Sequence, residues 1–160
     1  MRRYQDGEIE WENCTYHRRW YGVGARNISA FCPRRGAIIC SNISISDVEE
    51  TVRLITEAGG NARALHHDVS RPEDWDAIAA SVRDTEGRLD VLVNNAGIAP
   101  IGTIESANLD QWRACMAVNA DGVFLGCKHG VALMKRHGGG SIVNLSSIDG
   151  IIGESELLAY

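Results

Sequence analysis

A chain of 160 residues can bury one sizeable core and is too short for two comfortable domains. With 44% hydrophobic and 23% charged residues it has the composition of an ordinary globular protein, which excludes a disordered or fibrous chain. The net charge of -5 argues against a surface built for nucleic acid or anionic lipid, and no window approaches the roughly 20 apolar residues of a membrane span.

The first residues are charged where a secretion signal needs an apolar stretch, so cytoplasm is the expected location. Cys14, Cys32, Cys40, Cys115 and Cys127 form no CxxC pair and no Cys/His ligand spacing. Cys32 and Cys40 could bracket a disulfide loop, but an odd count without a secretion signal favours free thiols. His66, His67, His129 and His137 lack metal spacing and are assigned to a strand end and a helix face; no metal is expected.

Residues 1–36 mix Trp, Tyr, Cys, His and many Arg with no sustained period of 2 or 3.6. From residue 37 onward short apolar runs alternate with amphipathic stretches. Residues 37–41 (AIICS) read as an apolar strand. Ser46, with Asp47, Glu49 and Glu50 behind it, is the expected cap of a helix that buries Val48, Val52, Leu54 and Ile55 and stops at Gly59-Gly60. Residues 62–66 form a second strand running into Asp68-Val69. Ser70 is expected to cap the next helix, with Pro72 in its first turn and Trp75, Ile78, Ala79 and Val82 as its apolar stripe. A third strand covers 89–93 (LDVLV), a long, broadly apolar helix 108–136, and a fourth strand 141–145 (SIVNL). Trp75 and Trp112 are both expected in the core. Strands alternating with helices in this way mean an α/β chain with a doubly wound parallel sheet.

The tetrapeptide Asn94-Asn95-Ala96-Gly97 directly follows the strand LDVLV. Ligands of open α/β sheets bind beyond the carboxyl ends of strands, where a turn of small residues lets a cofactor approach the backbone. Asn and Gly also suit a plain turn, so the tetrapeptide alone leaves both readings open.

Five features in order resemble the short-chain dehydrogenase/reductase family. Asp68-Val69 resembles the family's adenine-lining pair, and the turn Asn94–Gly97 its structural hallmark. Asn119, within VNADGVF, matches the catalytic-site asparagine. Ser146-Ser147, after GGGSIVNL, matches the strand end carrying the catalytic serine, and Tyr160 follows Ser147 by thirteen positions, the family's serine-to-tyrosine spacing. The resemblance covers about 36–160 and implies a partial Rossmann-like dinucleotide-binding domain over 37–160, behind an aberrant and poorly ordered segment at 1–36.

What the resemblance implies chemically is hydride transfer between NAD or NADP and a secondary alcohol or its ketone, of the 3-oxoacyl-acyl-carrier-protein-reductase or alcohol and sugar dehydrogenase kind. Tyr160 would be the general acid/base, Ser147 would hold the same substrate oxygen, and Asn119 would complete the set. The cofactor would meet Asn42, Asp68, Val69, Asn94, Asn95, Ala96 and Gly97. In the family a lysine four residues after the tyrosine lowers a phenol pKa that is ~10 in a free side chain; the chain stops before that position, so it is expected to be inactive as it stands. Asn42 occupies the family's ribose-binding position without a carboxylate to repel a 2′-phosphate and without a basic residue beside it, which leans the expectation toward NAD. Full-length relatives are homo-oligomers that pair through the long helix. A non-catalytic α/β nucleotide-fold fragment, or a remnant that only mediates subunit contact, is the alternative.

The family's opening strand and TGxxxGxG turn should precede AIICS, and Gly22-Val23-Gly24 is a poor substitute. Reading Glu8 to Gly36 one base out of frame, with permitted codon choices, converts EIEWENCTYHRRWYGVGARNISAFCPRRG into RLSGKIALITGGGMGSGRETSRLFAREGA, the opening such a fold needs. Sequencing the encoding DNA is expected to show codons for Tyr16 to Trp20 that spell ITGGG one base on; codons that cannot be read so would refute the frame change.

Overall fold

The structure is a computed structural model that describes the backbone of Glu10–Trp11 and Asn13–Thr15 and residues 36–160. The first half comprises β1 (Glu10–Trp11), β2 (Asn13–Thr15), β3 (Ala37–Asn42), α1 (Ile45–Glu57), β4 (Asn61–His66) and α2 (Pro72–Thr85). It continues through β5 (Val91–Asn94), β6 (Gly97–Ile98), α3 (Leu109–Met116), α4 (Gly122–Met134) and β7 (Ser141–Asn144). A π-turn, Ala117–Asp121, joins α3 to α4, and a 3₁₀ turn, Ile148–Gly150, follows β7.

Successive side chains of β3 point to opposite faces, and both faces are covered. Ile38 and Cys40 pack with Val48 and Ile55 of α1, while Ile39 packs with Ile78 and Val82 of α2. Helices on both sides of a parallel strand make the doubly wound arrangement the sequence predicts. β3 runs parallel to β4, from Ala37↔Asn61 to Asn42↔His66, and β5 runs parallel to β7, from Val91↔Ser141 to Asn94↔Asn144.

These two parallel ladders belong to separate sheets. The expected first strand would lie between β3 and β5. There β2 lies antiparallel on β3 and alongside β5, and β1 pairs antiparallel with β6. β2 adds an antiparallel edge to the β3–β4 ladder but makes no strand pairing with β5, so among the described residues the two halves stay unjoined by strand pairing. The remainder of segment 1–36, with Gly22-Val23-Gly24 and the expectation of poor order there, lies outside the described residues.

Two expected caps move. α1 starts from Ser44 rather than Ser46, because Asn42 Oδ1 accepts the Ser44 N–H (2.7 Å) and turns the chain into the helix two residues earlier. α2 starts from Arg71 rather than Ser70: Pro72 takes the first helical position and holds its predecessor in extended geometry, φ -106° and ψ 115°. Gly59, at φ +85°, ends the turn after α1 as expected. Trp75 is core (3% exposed), but Trp112 is not: at 46% exposed it lies on an outer face with Leu109 and Phe124 also open to solvent. Cys40, Cys115 and Cys127 are free thiols; Cys32 lies outside the described residues.

The buried polar residues gather where the sheets end. His67 is 2% exposed, its Nδ1 3.1 Å from Ser41 Oγ and its ring set edge-on against Trp75 at 4.3 Å between centroids. His129 stacks on the same indole, and the Trp75 Nε1–H donates to the Val69 carbonyl (2.9 Å). Burial disfavours the imidazolium and lowers the His67 pKa from 6.5 to about 4, against a smaller upward pull from Asp74 and Asp68. The unfolded chain therefore binds a proton below pH 6.5 that the folded chain refuses until about pH 4. Stability is full above that window and falls as pH drops through it, by about 3 kcal/mol from this residue. Urea midpoints of wild type and His67→Leu, compared at neutral pH and at the bottom of the window, should show the smaller loss in the variant; equal losses would refute the assignment.

Candidate functional site

Of the residues singled out by sequence, Asp68 and Val69 follow β4, Asn94–Gly97 end β5 and begin β6, and Ser147 follows β7. Asn42, by contrast, ends β3, Asn119 lies in the π-turn, and Tyr160 ends the segment docked on Gly102. Val69, Asn94 and Ala96 line one shallow surface recess, together with Val118, Gly122 and Val123. The last three come from the π-turn and α4, which the sequence reading did not select. What brings α4 so close is a stripe of glycines at four-residue spacing, Gly122, Gly126 and Gly130, on one face of the helix. A Cβ on Gly122 would stand 3.0 Å from Val69 Cγ2, and one on Gly126 would collide with the Asn94 carboxamide and the Trp75 ring. That spacing was visible in GVFLGCKHG and is the signal that could have found them.

Asn94 anchors the recess. Its Nδ2 donates to Asn144 Oδ1 (2.8 Å) across the β5–β7 ladder, its carbonyl accepts from the Leu145 N–H (2.9 Å), and its buried Oδ1 has no partner. Asn95 and Ala96 carry the chain out of the sheet, and Gly97 begins β6. Asp68 adjoins Val69 but does not line the recess. Its Oδ1 accepts from the Ser70 N–H (3.0 Å) and hydroxyl (2.6 Å), and its own N–H donates to Asp74 Oδ2 (2.8 Å), which braces the loop after β4.

Asn42, at the end of β3, gives its Oδ1 to the α1 turn and its carbonyl to the His67 N–H (3.0 Å). The expectation that no basic residue stands beside Asn42 is corrected by the register. His66 is its partner across the ladder, about 5 Å away by strand spacing, with a side chain 56% exposed. Sequence distance hid this neighbour.

Asn119 lies in the π-turn. Its Oδ1 accepts from the Ile98 N–H (2.9 Å), and its Nδ2 donates to the Ile98 carbonyl (2.8 Å) and to Cys115 Sγ (3.3 Å). One carboxamide thus clasps both backbone groups of the residue after Gly97. The sequence predicts an unbroken helix here; the extra residue of the π-turn leaves no mark on a 3.6-residue pattern, and such turns recur at functional positions.

Ser147 caps the 3₁₀ turn. Its hydroxyl accepts from the Asp149 N–H (3.2 Å) and donates to Asp149 Oδ2 (2.9 Å). Tyr160 is 39% exposed, and its N–H donates to the Leu157 carbonyl (3.2 Å). The stretch before it docks on Gly102, whose N–H donates to the Glu156 carbonyl (2.7 Å) and whose carbonyl accepts from Leu158 (3.3 Å). The Ala159 carbonyl accepts from the buried Cys115 thiol (3.0 Å). Asn119 and the Tyr160 segment therefore share a neighbour, whereas no hydrogen bond joins Ser147 to Tyr160 among the described residues. Among those residues, too, no group of three or more His, Cys, Asp or Glu is arranged to hold a metal ion, and no helix is long and apolar enough to cross a membrane.

The family model described as short chain dehydrogenase matches residues 21–160, so the match reaches upstream of Gly36. The chain is 42% identical over 139 residues to an uncharacterized oxidoreductase of Thermotoga maritima, covering 87% of this chain and 55% of the relative. It is 40% identical over 132 residues to a 3-alpha-(or 20-beta)-hydroxysteroid dehydrogenase of Mycobacterium bovis, covering 82% and 50%. The crystal structure of NAD+-bound xylitol dehydrogenase superposes with a TM-score of 0.74 at 27% identity, over 79% of this chain and 50% of that one. The chain spans about half the length of the curated relatives it matches. A match over most of its residues, on a two-sided α/β sheet, makes this chain a member of the short-chain dehydrogenase family.

Proposed function

We propose that the chain carries the adenosine-binding side and the hydroxyl-handling residues of an NAD(P)-dependent oxidoreductase that interconverts a secondary alcohol and its ketone. The observation that carries this reading is the Asn119 clasp on Ile98, which ties the turn Asn94–Gly97 to the helix that also contacts the Tyr160 segment. Oxidoreductase relatives, among them hydroxysteroid dehydrogenases, support the reaction class.

The described residues suit the adenosine end of such a cofactor by their chemistry. Small side chains line a shallow, solvent-open recess that a Cβ at Gly122 would narrow, and the buried Asn94 Oδ1 is an acceptor without a donor. When bound, the nicotinamide accepts or supplies the hydride. The chain's own part is to hold the substrate oxygen and move one proton. Tyr160 exchanges that proton as general acid/base, and Ser147 orients the oxygen by a hydrogen bond once its hydroxyl turns from Asp149. Asn119 fixes the backbone of Ile98, just after the turn Asn94–Gly97. The substrate is a small alcohol or ketone, the location cytoplasmic, and NAD is the preferred cofactor because Asn42 bonds a ribose hydroxyl; His66 beside it softens that preference. The exposed Trp112, Phe124 and Val131 on the long helix support homo-oligomer formation.

A second reading, a non-catalytic nucleotide-fold fragment, is favoured by the Ser147 hydroxyl bonded to Asp149 instead of facing Tyr160. The diphosphate separates the two halves of the argument. Among the described residues no glycine-rich turn offers N–H groups to a pyrophosphate, so NAD+ should bind the 160-residue chain weakly, with dissociation constants of about 1 mM or more by calorimetry. Replacing residues 8–36 by RLSGKIALITGGGMGSGRETSRLFAREGA should tighten binding by roughly tenfold or more. Absence of adenine contacts in saturation-transfer NMR with either chain would refute the cofactor assignment. In a product carrying lysine four residues beyond Tyr160, Tyr160→Phe should lower alcohol oxidation by about 10²–10⁴-fold; turnover indifferent to Tyr160 would contradict the enzyme reading.

A further inference from the structure

We propose that Cys115 is a positioning residue of this site: its thiol joins the Asn119 carboxamide to the Ala159 carbonyl and so sets where the Tyr160 phenol stands. The inference rests on the oxidoreductase reading for the roles of Asn119 and Tyr160.

Cys115 is 0% exposed and sits one helical turn before Asn119, on the same face of the helix. The donors and acceptors account for every proton at the junction. Asn119 has two Nδ2 protons, one given to the Ile98 carbonyl at 2.8 Å and the other to Cys115 Sγ at 3.3 Å. The thiol has one proton, given to the Ala159 carbonyl at 3.0 Å, while the Ile98 carbonyl is farther from the sulfur at 3.7 Å. The sulfur thus accepts on one side and donates on the other. Burial pushes the thiol pKa up, which keeps it protonated and able to donate.

The next residues show why this junction aims Tyr160. Ala159 is 5% exposed, whereas Tyr160 is 39% exposed. The chain goes inward at Ala159 and turns out again at once, so the carbonyl held by Cys115 is the pivot from which the tyrosine leaves. The other attachments of this stretch are backbone bonds: those of Gly102 to Glu156 and Leu158, and that of the Tyr160 N–H to the Leu157 carbonyl (3.2 Å). The last ties the final peptide only to its own segment, whereas the Cys115 thiol ties the other side of that peptide to the helix leading to Asn119.

A buried cysteine is more often a small hydrophobic filler than a hydrogen-bonding device, and the two roles order the variants oppositely. A filler tolerates Cys115→Val, which stays apolar and adds about one methyl of bulk, better than Cys115→Ser, which buries a hydroxyl. A hydrogen-bonded junction tolerates Ser, which donates and accepts, better than Val, which does neither.

The experiment uses the full chain with isotope-labelled tyrosine, the Tyr160 ring resonance being assigned by its loss in Tyr160→Phe. In Cys115→Ser the resonance should remain at its wild-type position. In Cys115→Val it should move more than halfway to the free-tyrosine position while the helical circular dichroism is retained. Should Cys115→Val lose that helical signal, Cys115→Ala, which adds no bulk, must show the same movement. A resonance unmoved in Val and Ala, or moved more in Ser than in Val, overturns the proposal. Titration with NAD+ of the chain whose residues 8–36 are replaced by RLSGKIALITGGGMGSGRETSRLFAREGA reports separately on the underlying reading. A Tyr160 resonance that follows the Ser and Val order yet ignores the dinucleotide would overturn the cofactor assignment and leave the junction standing.

Discussion

One carboxamide bonded to both backbone groups of one residue holds this site together. Asn119 accepts from Ile98 and donates back to it, and each bond contributes about 1 kcal/mol net. The energy is modest, but the geometric effect is large. A chain leaving the β5–β7 ladder after Asn94 has only the two-residue pairing of β6 with β1 to define its path, and the clasp adds definition from the helix side. The clasp sits within the π-turn Ala117–Asp121, the kind of helix irregularity that recurs at functional positions. Through Cys115 the same helix reaches the Ala159 carbonyl, so the turn after β5, the long helix and the Tyr160 stretch are parts of one connected polar junction.

Around that junction, packing is arranged for close approach. Three glycines on one face of α4 let its backbone descend onto Val69, Asn94 and Leu92, where any Cβ would collide or crowd. Such approach makes a narrow recess of small side chains in place of an ordinary helix–sheet core of interlocking large ones. It also leaves polar atoms dry. The Asn94 Oδ1 and His67 Nε2 are buried without partners, an unusual state whose cost is tolerated where a site needs shape more than stability. The separation of the two parallel ladders has the same local logic: β3–β4 and β5–β7 are each well formed, and the position between them is held by a short antiparallel strand.

Much of this was legible in the amino-acid order. The alternation of apolar runs with amphipathic stretches announced the two-sided sheet, and Val69, Asn94 and Ala96, selected as cofactor contacts, do line one recess. Asn119 was selected too, though as a residue of an unbroken helix. The misreadings share a cause: competition between neighbouring local signals. Ser46 and Ser70 are good caps in isolation, but Asn42 starts its helix earlier and Pro72 fixes its helix later. Trp112 is large and apolar, yet its helix turns that face outward, since the inner face is taken by Cys115. His66 and Asn42 are far apart in sequence and meet only through strand register. Nothing in a periodic pattern reveals a thiol that donates to a carbonyl 44 residues away.

Hydrogen exchange at a single amide tests the central claim most directly. The Ile98 N–H is held by Asn119 Oδ1 in the native chain. In Asn119→Ala its exchange should accelerate by roughly tenfold, the worth of about 1.4 kcal/mol of lost protection, while the amides of α1 and α2 keep their rates. An Ile98 amide that exchanges at the wild-type rate in that variant, with α3 and α4 still helical, would show that the clasp does not organise the site.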